Sequence, residues 1–189
     1  MKKRSIAILV VIAVASVAGV FAQSMNPMVG GAAMYRNKDI VDNAVNSADH
    51  TTLVAAVKAA GLVPTLKSKG PFTVFAPTNE AFAKLPAGLV DNLLKPENKA
   101  TLTKVLTYHV VAGNYDSQAL MALIKKGDGA AELKTVSGDT LTLTAGGNDM
   151  MANRIIVKDE KGNTANVTIA NVRQSNGVIH VVDSVLMPN

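Results

Sequence analysis

Two stretches of the chain decide the fold: FTVFAPTNEAF at residues 72–82 and GVIHVVDSVLMP at residues 177–188. The first begins with an aromatic and β-branched run from Phe72 to Phe75, which is typical of a short strand. Pro77 has no N–H to donate to a neighbouring strand, so it marks the point where this strand ends.

A helix is expected directly after this strand. Thr78 or Asn79 offers a side-chain oxygen that can accept the first free N–H groups of a helix. Glu80 lies in the first turn, where its negative charge interacts favourably with the helix dipole. The segment up to Phe82 therefore predicts a strand that leads into a helix.

The second stretch predicts a strand with both faces covered. Its residues are almost all apolar, and Gly177 before it and Pro188 after it are typical boundary residues. His180 lies in the middle, where the alternation of side chains places it on the same face as Val178 and Val182. We therefore interpret His180 as a core histidine that is hydrogen-bonded to a neighbouring strand or helix.

These two stretches, with Tyr108-His109 between them at the end of a helical segment, resemble the motifs of the fasciclin (FAS1) domain family. The resemblance covers residues 37–189 and corresponds to the bacterial secreted type with a single domain. It implies an α+β fold, the FAS1 fold, in which several helices pack on one side of a folded or wedge-shaped β-sheet. It also implies a structural motif made of Phe72, Phe75, Pro77, Thr78, Asn79, Phe82, Gly177, His180 and Asp183.

The Tyr-His pair is the candidate binding site that the resemblance implies. In animal matrix proteins of the family, this pair and the flanking aliphatic residues contribute to receptor binding. The corresponding binding surface here would consist of Leu106, Tyr108, His109, Val110 and Val111.

Other roles are open for the histidines. At the end of a helix, His109 can bond to the last carbonyl groups or to a carboxylate such as Asp183 or Asp116, which would make it structural. A metal site shared with His180 would need a third ligand, and the sequence has no metal-binding spacing around its histidines, so we expect no metal. His50 lies at a predicted helix start, and we expect it to be exposed.

Hydrophobic periodicity places helices mainly in the first half of the domain and strands in the second. Apolar residues recur at helical spacing from Thr51 to Ala60, which predicts a helix that ends at Gly61. Other helices are expected at 39–45, 80–84, 89–94 and from residue 98 or 101 to 109, and strands at 141–144, 154–157 and 166–172. Helices followed by strands are typical of an α+β domain.

The N-terminal residues predict export. Met1–Arg4 is basic, Ile6–Val20 is apolar and Ala22 offers a small side chain for cleavage, so residues 1–22 are interpreted as a bacterial signal peptide. An apolar run of about 15 residues is short for a membrane span, and we expect no stable span after cleavage. The mature protein is then expected in the periplasm or outside the cell.

The next segment, QSMNPMVGGAAMYR at residues 23–36, contains Gly-Gly and Pro without a sustained period. This composition predicts a flexible linker before the domain at residues 37–189. Met25, Met28 and Met34 are all potential thioether ligands for Cu(I). No His or Cys supports them within the segment, so we interpret these methionines as incidental.

After cleavage the chain is nearly neutral. Three of the 19 Lys and Arg residues lie in residues 1–22. The remaining 16 basic residues and the 14 Asp and Glu residues give a net charge of +2. The lysines are scattered and are not interleaved with aromatic residues, so we expect no nucleic-acid partner. The chain has no Cys and only 4% aromatic residues, so an aliphatic core must stabilise the domain.

No catalytic constellation is visible in the sequence. It lacks Cys, a G-x-S-x-G elbow and a glycine-rich phosphate loop, so we expect neither an enzyme nor a cofactor, unless distant residues assemble a site. The family resemblance implies an interaction module that mediates adhesion by binding a cell-surface or matrix protein or polysaccharide, as a monomer. The alternative is a carrier of an apolar small molecule, a lipid or pigment, held between the helices and the sheet.

Overall fold

The computed structural model describes residues 26–146 and 154–189. The signal peptide predicted at residues 1–22 and the first part of the predicted linker lie outside these ranges. Within the two described ranges, no helix combines the length and the apolar character that are needed to cross a membrane.

The described part of the chain contains seven α-helices, three of which begin at a side-chain cap. They are α1 (Ile40–Ala44), α2 (Thr51–Ala60), α3 (Val63–Leu66), α4 (Asn79–Ala83), α5 (Leu89–Leu93), α6 (Lys99–Tyr108) and α7 (Ser117–Lys126). Asp39, Thr78 and Asp116 each accept a backbone N–H in the first turn of α1, α4 and α7, respectively. Helix α2 has the predicted bounds and ends at Gly61, whose φ of +74° favours glycine.

The strands form a small hairpin and one large sheet. The hairpin consists of β1 (Met28–Val29) and β2 (Ala32–Ala33). The sheet contains β3 (Phe72–Pro77), β4 (Val110–Ala112), β5 (Ala130–Lys134), β6 (Thr140–Gly146), β7 (Arg154–Lys158), β8 (Thr164–Gln174) and β9 (Gly177–Val182).

The seven strands of the sheet lie in the order β4-β3-β9-β8-β7-β6-β5. Strands β3 and β9 are parallel, and the other neighbouring pairs are antiparallel. Val111 of β4 forms a bridge with Thr135, directly after β5, so the two edges of the sheet approach each other. This mixed, nearly closed sheet with its helices confirms the α+β fold class.

The core has two parts, one on each face of β3. Val74 belongs to the cluster that α1–α6 form with β3 and β9, whereas Phe75 belongs to the cluster around α7 and β5–β8. Successive side chains of a strand point to opposite faces, which explains this division. Six helices therefore pack on one side, as expected, and α7 covers the second cluster with Leu120 and Ile124.

The described part of the segment that was expected to be a flexible linker forms a hairpin and packs against the domain. Residues 26–36 contain the β1–β2 hairpin, and Val29 and Met34 are 4% and 2% exposed because they pack in the first core cluster. Met28 is 59% exposed, so it does not share a thioether site with the buried Met34. This part of the segment is thus attached to the domain by apolar burial.

Candidate functional site

Two polar residues that follow β3 form hydrogen bonds at the starts of two different helices. Thr78 caps α4, since its Oγ1 accepts the N–H of Ala81 at 3.2 Å. Asn79 serves α2 instead: its Oδ1 accepts the N–H of Thr52 at 3.0 Å, and its Nδ2 donates to the carbonyl of Ala48 at 2.8 Å. The end of β3 therefore positions the start of α2 as well as that of α4.

The two sequence stretches that identify the fold are neighbours in the sheet. Strands β3 and β9 pair in parallel along their full length, beginning with Phe72 opposite Gly177. Glycine is required there, because a Cβ on Gly177 would collide with the carbonyl oxygen of Phe72. Phe75 is fully buried, and Phe82 of α4 is 9% exposed. The apolar residues of the motif thus build the core.

Tyr108 connects the end of α6 to two turns of the sheet. Its ring is fully buried, and its hydroxyl donates to the carbonyl of Thr140 at 2.9 Å while accepting the N–H of Glu160 at 3.2 Å. Burial raises the pKa of Tyr108 to about 12, so the hydroxyl keeps its proton at neutral pH. Tyr108 is therefore a structural hydrogen-bonding group.

Both ring nitrogens of His109 form hydrogen bonds with backbone groups. Nδ1 lies 2.8 Å from the carbonyl oxygen of Val105, and Nε2 lies 3.0 Å from the N–H of Leu186. A carbonyl only accepts and an N–H only donates, so the proton is on Nδ1 and the ring is neutral. Burial lowers the pKa of His109 to about 4, which keeps this neutral form.

Of the roles open to His109, the partners favour the structural one. Both partners are backbone groups, and neither Asp183 nor Asp116 is bonded to the ring. The bond to Val105 satisfies one of the last carbonyl groups of α6, which lack helical N–H partners. No ring nitrogen is left to bind a metal ion.

The five residues predicted to form a Tyr-His binding surface do lie together, but they are buried. The exposed fractions of Leu106, Tyr108, His109, Val110 and Val111 are 5%, 0%, 3%, 6% and 2%, respectively. The expectation of an exposed contact surface at these positions is therefore wrong for this structure. The end of α6 and the start of β4 contribute side chains to both core clusters, Leu106 and Val110 to the first and Tyr108 and Val111 to the second, which the local sequence does not indicate.

His180 is the core histidine that the sequence analysis describes. Its side chain is fully buried, its ring is stacked on Phe75 with centroids 5.8 Å apart, and its Nε2 donates to the carbonyl of Tyr115 at 2.8 Å. Nδ1 accepts a longer bond of 3.4 Å from the N–H of Asn171. Burial lowers the pKa of His180. The ring thereby links β9 to β8 and to the loop before α7.

The expectation that His50 is exposed is wrong. The residue is 4% exposed, and its Nδ1 is bonded to Oγ of Ser47 at 2.8 Å. Among the described residues, its Nε2 is the one buried side-chain nitrogen or oxygen without a hydrogen-bond partner. Burial lowers the pKa of His50, although the carbonyl of Ala76 and the charge of Asp49 act in the opposite direction.

Asp183 follows the end of β9 at Val182, several residues before the strand end that the apolar run predicts. Its two carboxylate oxygens accept the backbone and side-chain N–H groups of Asn166, at 2.8 and 2.9 Å. Burial opposes ionisation, but the hydrogen bonds from Asn166 outweigh it, and the pKa of Asp183 is lowered. The carboxylate therefore fastens β8 to the segment after β9.

Asp159 is a structural residue that was not identified from the sequence. Asp159 is 4% exposed, and its carboxylate accepts the N–H groups of Lys161, Asn163 and Met187 at 3.0, 2.8 and 3.0 Å. An Asp that precedes a Lys-Gly turn by two residues is a recognisable signal for the first two bonds. The bond to Met187 joins segments 28 positions apart, and no local signal indicates it.

The polar side chains of the motif are thus engaged with the backbone and hold the domain together. Within residues 26–146 and 154–189, no three His, Cys, Asp or Glu side chains are grouped as they would be to hold a metal ion. The chemistry that these residues support is hydrogen bonding that stabilises the fold.

Comparisons with known proteins point to the same family as the sequence motifs. The family model of the Fasciclin domain matches residues 48–188. Protein sll1483 of Synechocystis sp. is 48% identical over 151 residues, which cover 79% of this chain and 73% of that protein. Immunogenic protein MPB70 of Mycobacterium bovis is 37% identical over 150 residues, which cover 77% of this chain and 66% of that protein.

A solved structure with a similar fold is that of a FAS1 domain pair from the insect cell adhesion molecule Fasciclin I. Its TM-score is 0.67 at 19% sequence identity, and the superposed part covers 79% of this chain and 51% of that chain. At this identity, the comparison shows similarity of fold.

Proposed function

The chain belongs to the fasciclin domain family, and we propose that it is an exported interaction module that mediates adhesion without catalysing a reaction. The observation that carries the proposal is the family match over residues 48–188. The structurally similar protein is named a cell adhesion molecule, which supports an adhesive role. The proposed partner is a protein or polysaccharide of a cell surface or matrix, bound by a monomer.

A role without catalysis is supported by the way the motif uses its polar groups. The hydroxyl of Tyr108 and both ring nitrogens of His109 and His180 are bonded to the backbone. A general base or a nucleophile needs a group that can reach the substrate. These groups cannot do so without breaking the bonds that hold the fold.

The proposed contact surface lies away from the buried Tyr-His pair. Five large apolar side chains are exposed in the described part of the chain: Met28, Tyr35, Val45, Val136 and Ile169. Three of them lie between residues 28 and 45. Covering exposed apolar side chains with a partner is favourable, because it removes apolar surface from water. These five positions are therefore the first to mutate in a search for the contact surface.

The test is deletion of the gene, followed by measurement of attachment and cell aggregation. We expect attachment to fall and to be restored by the wild-type gene but not by a gene encoding Val181→Asp, which should be severely destabilised. A gene with Met28→Ser, Tyr35→Ser and Val45→Ser, compared with one carrying Val136→Ser and Ile169→Ser, tests which group contributes. Unchanged attachment, with no envelope or matrix component captured by the purified domain, would refute the adhesive function.

Export is tested separately on the wild-type strain. We propose cleavage after Ala22, so intact-mass analysis of periplasmic and medium fractions should find a protein that begins at Gln23. Recovery of only the uncleaved chain, in the membrane fraction, would contradict this part of the proposal.

A further inference from the structure

Asn176 and Gly177 form the one Asn-Gly pair of the sequence, and they lie where β9 begins. In flexible chains asparagine deamidates most readily before glycine, because glycine has no side chain to shield its backbone nitrogen. Here the pair belongs to the tight turn between β8 and β9, in which Gln174 is paired with Gly177. A chemically reactive pair therefore lies at a point that the fold holds closely.

The side chain of Asn176 is buried and forms three hydrogen bonds with the backbone of two helical segments. Its Oδ1 accepts the N–H of Ile40, in the first turn of α1, at 3.0 Å. Its Nδ2 donates to the carbonyl oxygens of Leu66, at the end of α3, and Ser68, at 2.7 and 3.0 Å. The residue is 7% exposed. One amide group thus connects the turn before β9 to α1 and to the end of α3.

Deamidation of an Asn-Gly pair begins when the backbone nitrogen of the glycine attacks the side-chain carbon Cγ of the asparagine. The new N–C bond closes a succinimide ring, the glycine N–H gives up its proton, and the side-chain nitrogen leaves as ammonia. Water then opens the ring at either of its carbonyl groups, which yields aspartate or isoaspartate. The net reaction consumes one water molecule and releases one ammonia molecule, and it needs no enzyme and no oxidant.

The folded domain opposes this attack at both reacting groups. The side-chain amide of Asn176 can rotate toward the nitrogen of Gly177 only by breaking its three hydrogen bonds. The backbone of Gly177 is paired with Phe72 on one side and with Gln174 on the other. In addition, the carbonyl of Asn176 accepts the N–H of Phe72 at 3.0 Å. Ring closure therefore requires the start of β9 to open.

The products of the reaction do not fit the place that the amide occupies. A carboxylate has no N–H, so the carbonyl oxygens of Leu66 and Ser68 would lose their donor and would lie against a negative charge. A buried charge without a partner is strongly unfavourable. Isoaspartate also inserts a methylene group into the main chain, where β3 and β9 are already too close for a Cβ on Gly177.

We propose that Asn176-Gly177 is a deamidation site that is closed in the folded domain and open in the unfolded chain. A chain that stays unfolded is converted into one that cannot restore the native bonds of Asn176, so unfolding becomes irreversible with time. The site therefore limits how long the chain can remain unfolded and still return to the native state. This inference does not depend on the adhesive function.

The experiment compares purified wild-type protein kept folded in buffer with the same protein kept in concentrated guanidinium chloride, both at mildly alkaline pH. Trypsin cleaves after Arg173, so the peptide of residues 174–189 reports deamidation of Asn176 by its mass and by the separate elution of its aspartate and isoaspartate forms. We expect conversion in the unfolded sample to be at least about tenfold faster than in the folded one. This readout does not depend on any variant being folded.

The second measurement is the refolding yield after the guanidinium chloride is diluted. The yield should fall as the peptide is converted, and the converted peptide should be missing from the native fraction isolated by size-exclusion chromatography. A sample kept unfolded at mildly acidic pH is the matched control, because acid suppresses the loss of the Gly177 N–H proton that the attack needs. This sample should keep both its amide and its refolding yield.

A pair of variants tests the effect of the product. Asn176→Asp introduces the aspartate form directly and should lower both the melting temperature and the refolding yield. Asn37→Asp makes the same change at an exposed position and should alter neither quantity. Equal conversion in the folded and the unfolded samples would overturn the proposal. So would converted wild-type chains that refold as completely as the unmodified ones.

Discussion

The backbone N–H of Leu186 donates to Nε2 of His109 across 3.0 Å, and this bond attaches the C-terminal segment to the end of α6, 77 positions earlier in the chain. Nδ1 of the same ring donates to the carbonyl of Val105 at 2.8 Å. One neutral imidazole therefore satisfies a carbonyl of α6 and an N–H of the segment after β9. The family's Tyr-His pair here stabilises the fold from within.

His109→Ala should lower the free energy of unfolding by roughly 1–3 kcal/mol, because it leaves the N–H of Leu186 and the carbonyl of Val105 without partners in a buried site. Urea unfolding followed by circular dichroism measures the change. Thr101→Ala, at an exposed position of the same helix, is the control and should have little effect. Unchanged stability of His109→Ala would contradict the structural role.

Stability should decrease on acidification below about pH 6.5. The pKa of His109 is about 4 in the folded state and near 6.5 in the unfolded state, so the unfolded chain binds more protons between these values. The free energy of unfolding then falls with decreasing pH by up to about 1.4 kcal/mol per unit for this one group. His50 and His180 act in the same direction, since burial also lowers their pKa values.

Urea midpoints between pH 7 and pH 5 test this dependence, in a range above the titration of ordinary carboxylates. His109→Gln should show a shallower dependence than the wild type, because one of the titrating groups is gone. A wild-type midpoint that stays constant over this range would refute the expected pH dependence.

Val181→Asp should destabilise the domain severely, by about 4 kcal/mol or more, because it buries an unpaired carboxylate in β9. Val181 is 2% exposed and lies between Ala76 of β3 and Ile169 of β8. Ile169 is a matched control, as it is opposite Val181 and 36% exposed. Thermal unfolding should show a much smaller effect for Ile169→Asp, and equal effects would contradict the burial argument.

Gly177→Ala should destabilise the domain by about 1–3 kcal/mol, the range typical of one methyl group forced into a packed site. The added Cβ would collide with the carbonyl oxygen of Phe72 and separate the starts of β3 and β9. Differential scanning calorimetry measures the change in melting temperature. Ser175→Ala, at an exposed position just before β9, should be nearly neutral. A melting temperature of Gly177→Ala equal to that of this control would show that the strands can adjust.

Elements with a local signal were predicted well from the sequence. Helix α2 has the expected bounds, since its apolar spacing and Gly61 are visible within eleven residues. The transition from β3 to α4 was also predicted, because Pro77 and Thr78 act on their immediate neighbours. Helix α7 was not predicted, although its cap, Asp116, and the spacing of Leu120 and Ile124 carry the same kind of signal.

Other features have no local signal. The β1–β2 hairpin has two-residue strands, too short for a period, and it is held by burial of Val29 and Met34 in the core. Strand β4 has three residues and is defined by its pairing with β3. The carboxylate of Asp159 reaches Met187 only because the sheet brings the two segments together.

The sequence by itself determined the family, the α+β class and the positions of the main strands and helices, because caps, prolines and apolar periods act over a few residues. Only the tertiary structure decided which histidines are buried and what they bond. His50 was expected to be exposed, but it is buried. The Tyr-His pair was considered as part of a binding surface, but it lies in the core. Exposure depends on which distant segments pack over a residue, and neither its neighbours in the chain nor its own chemistry specifies them.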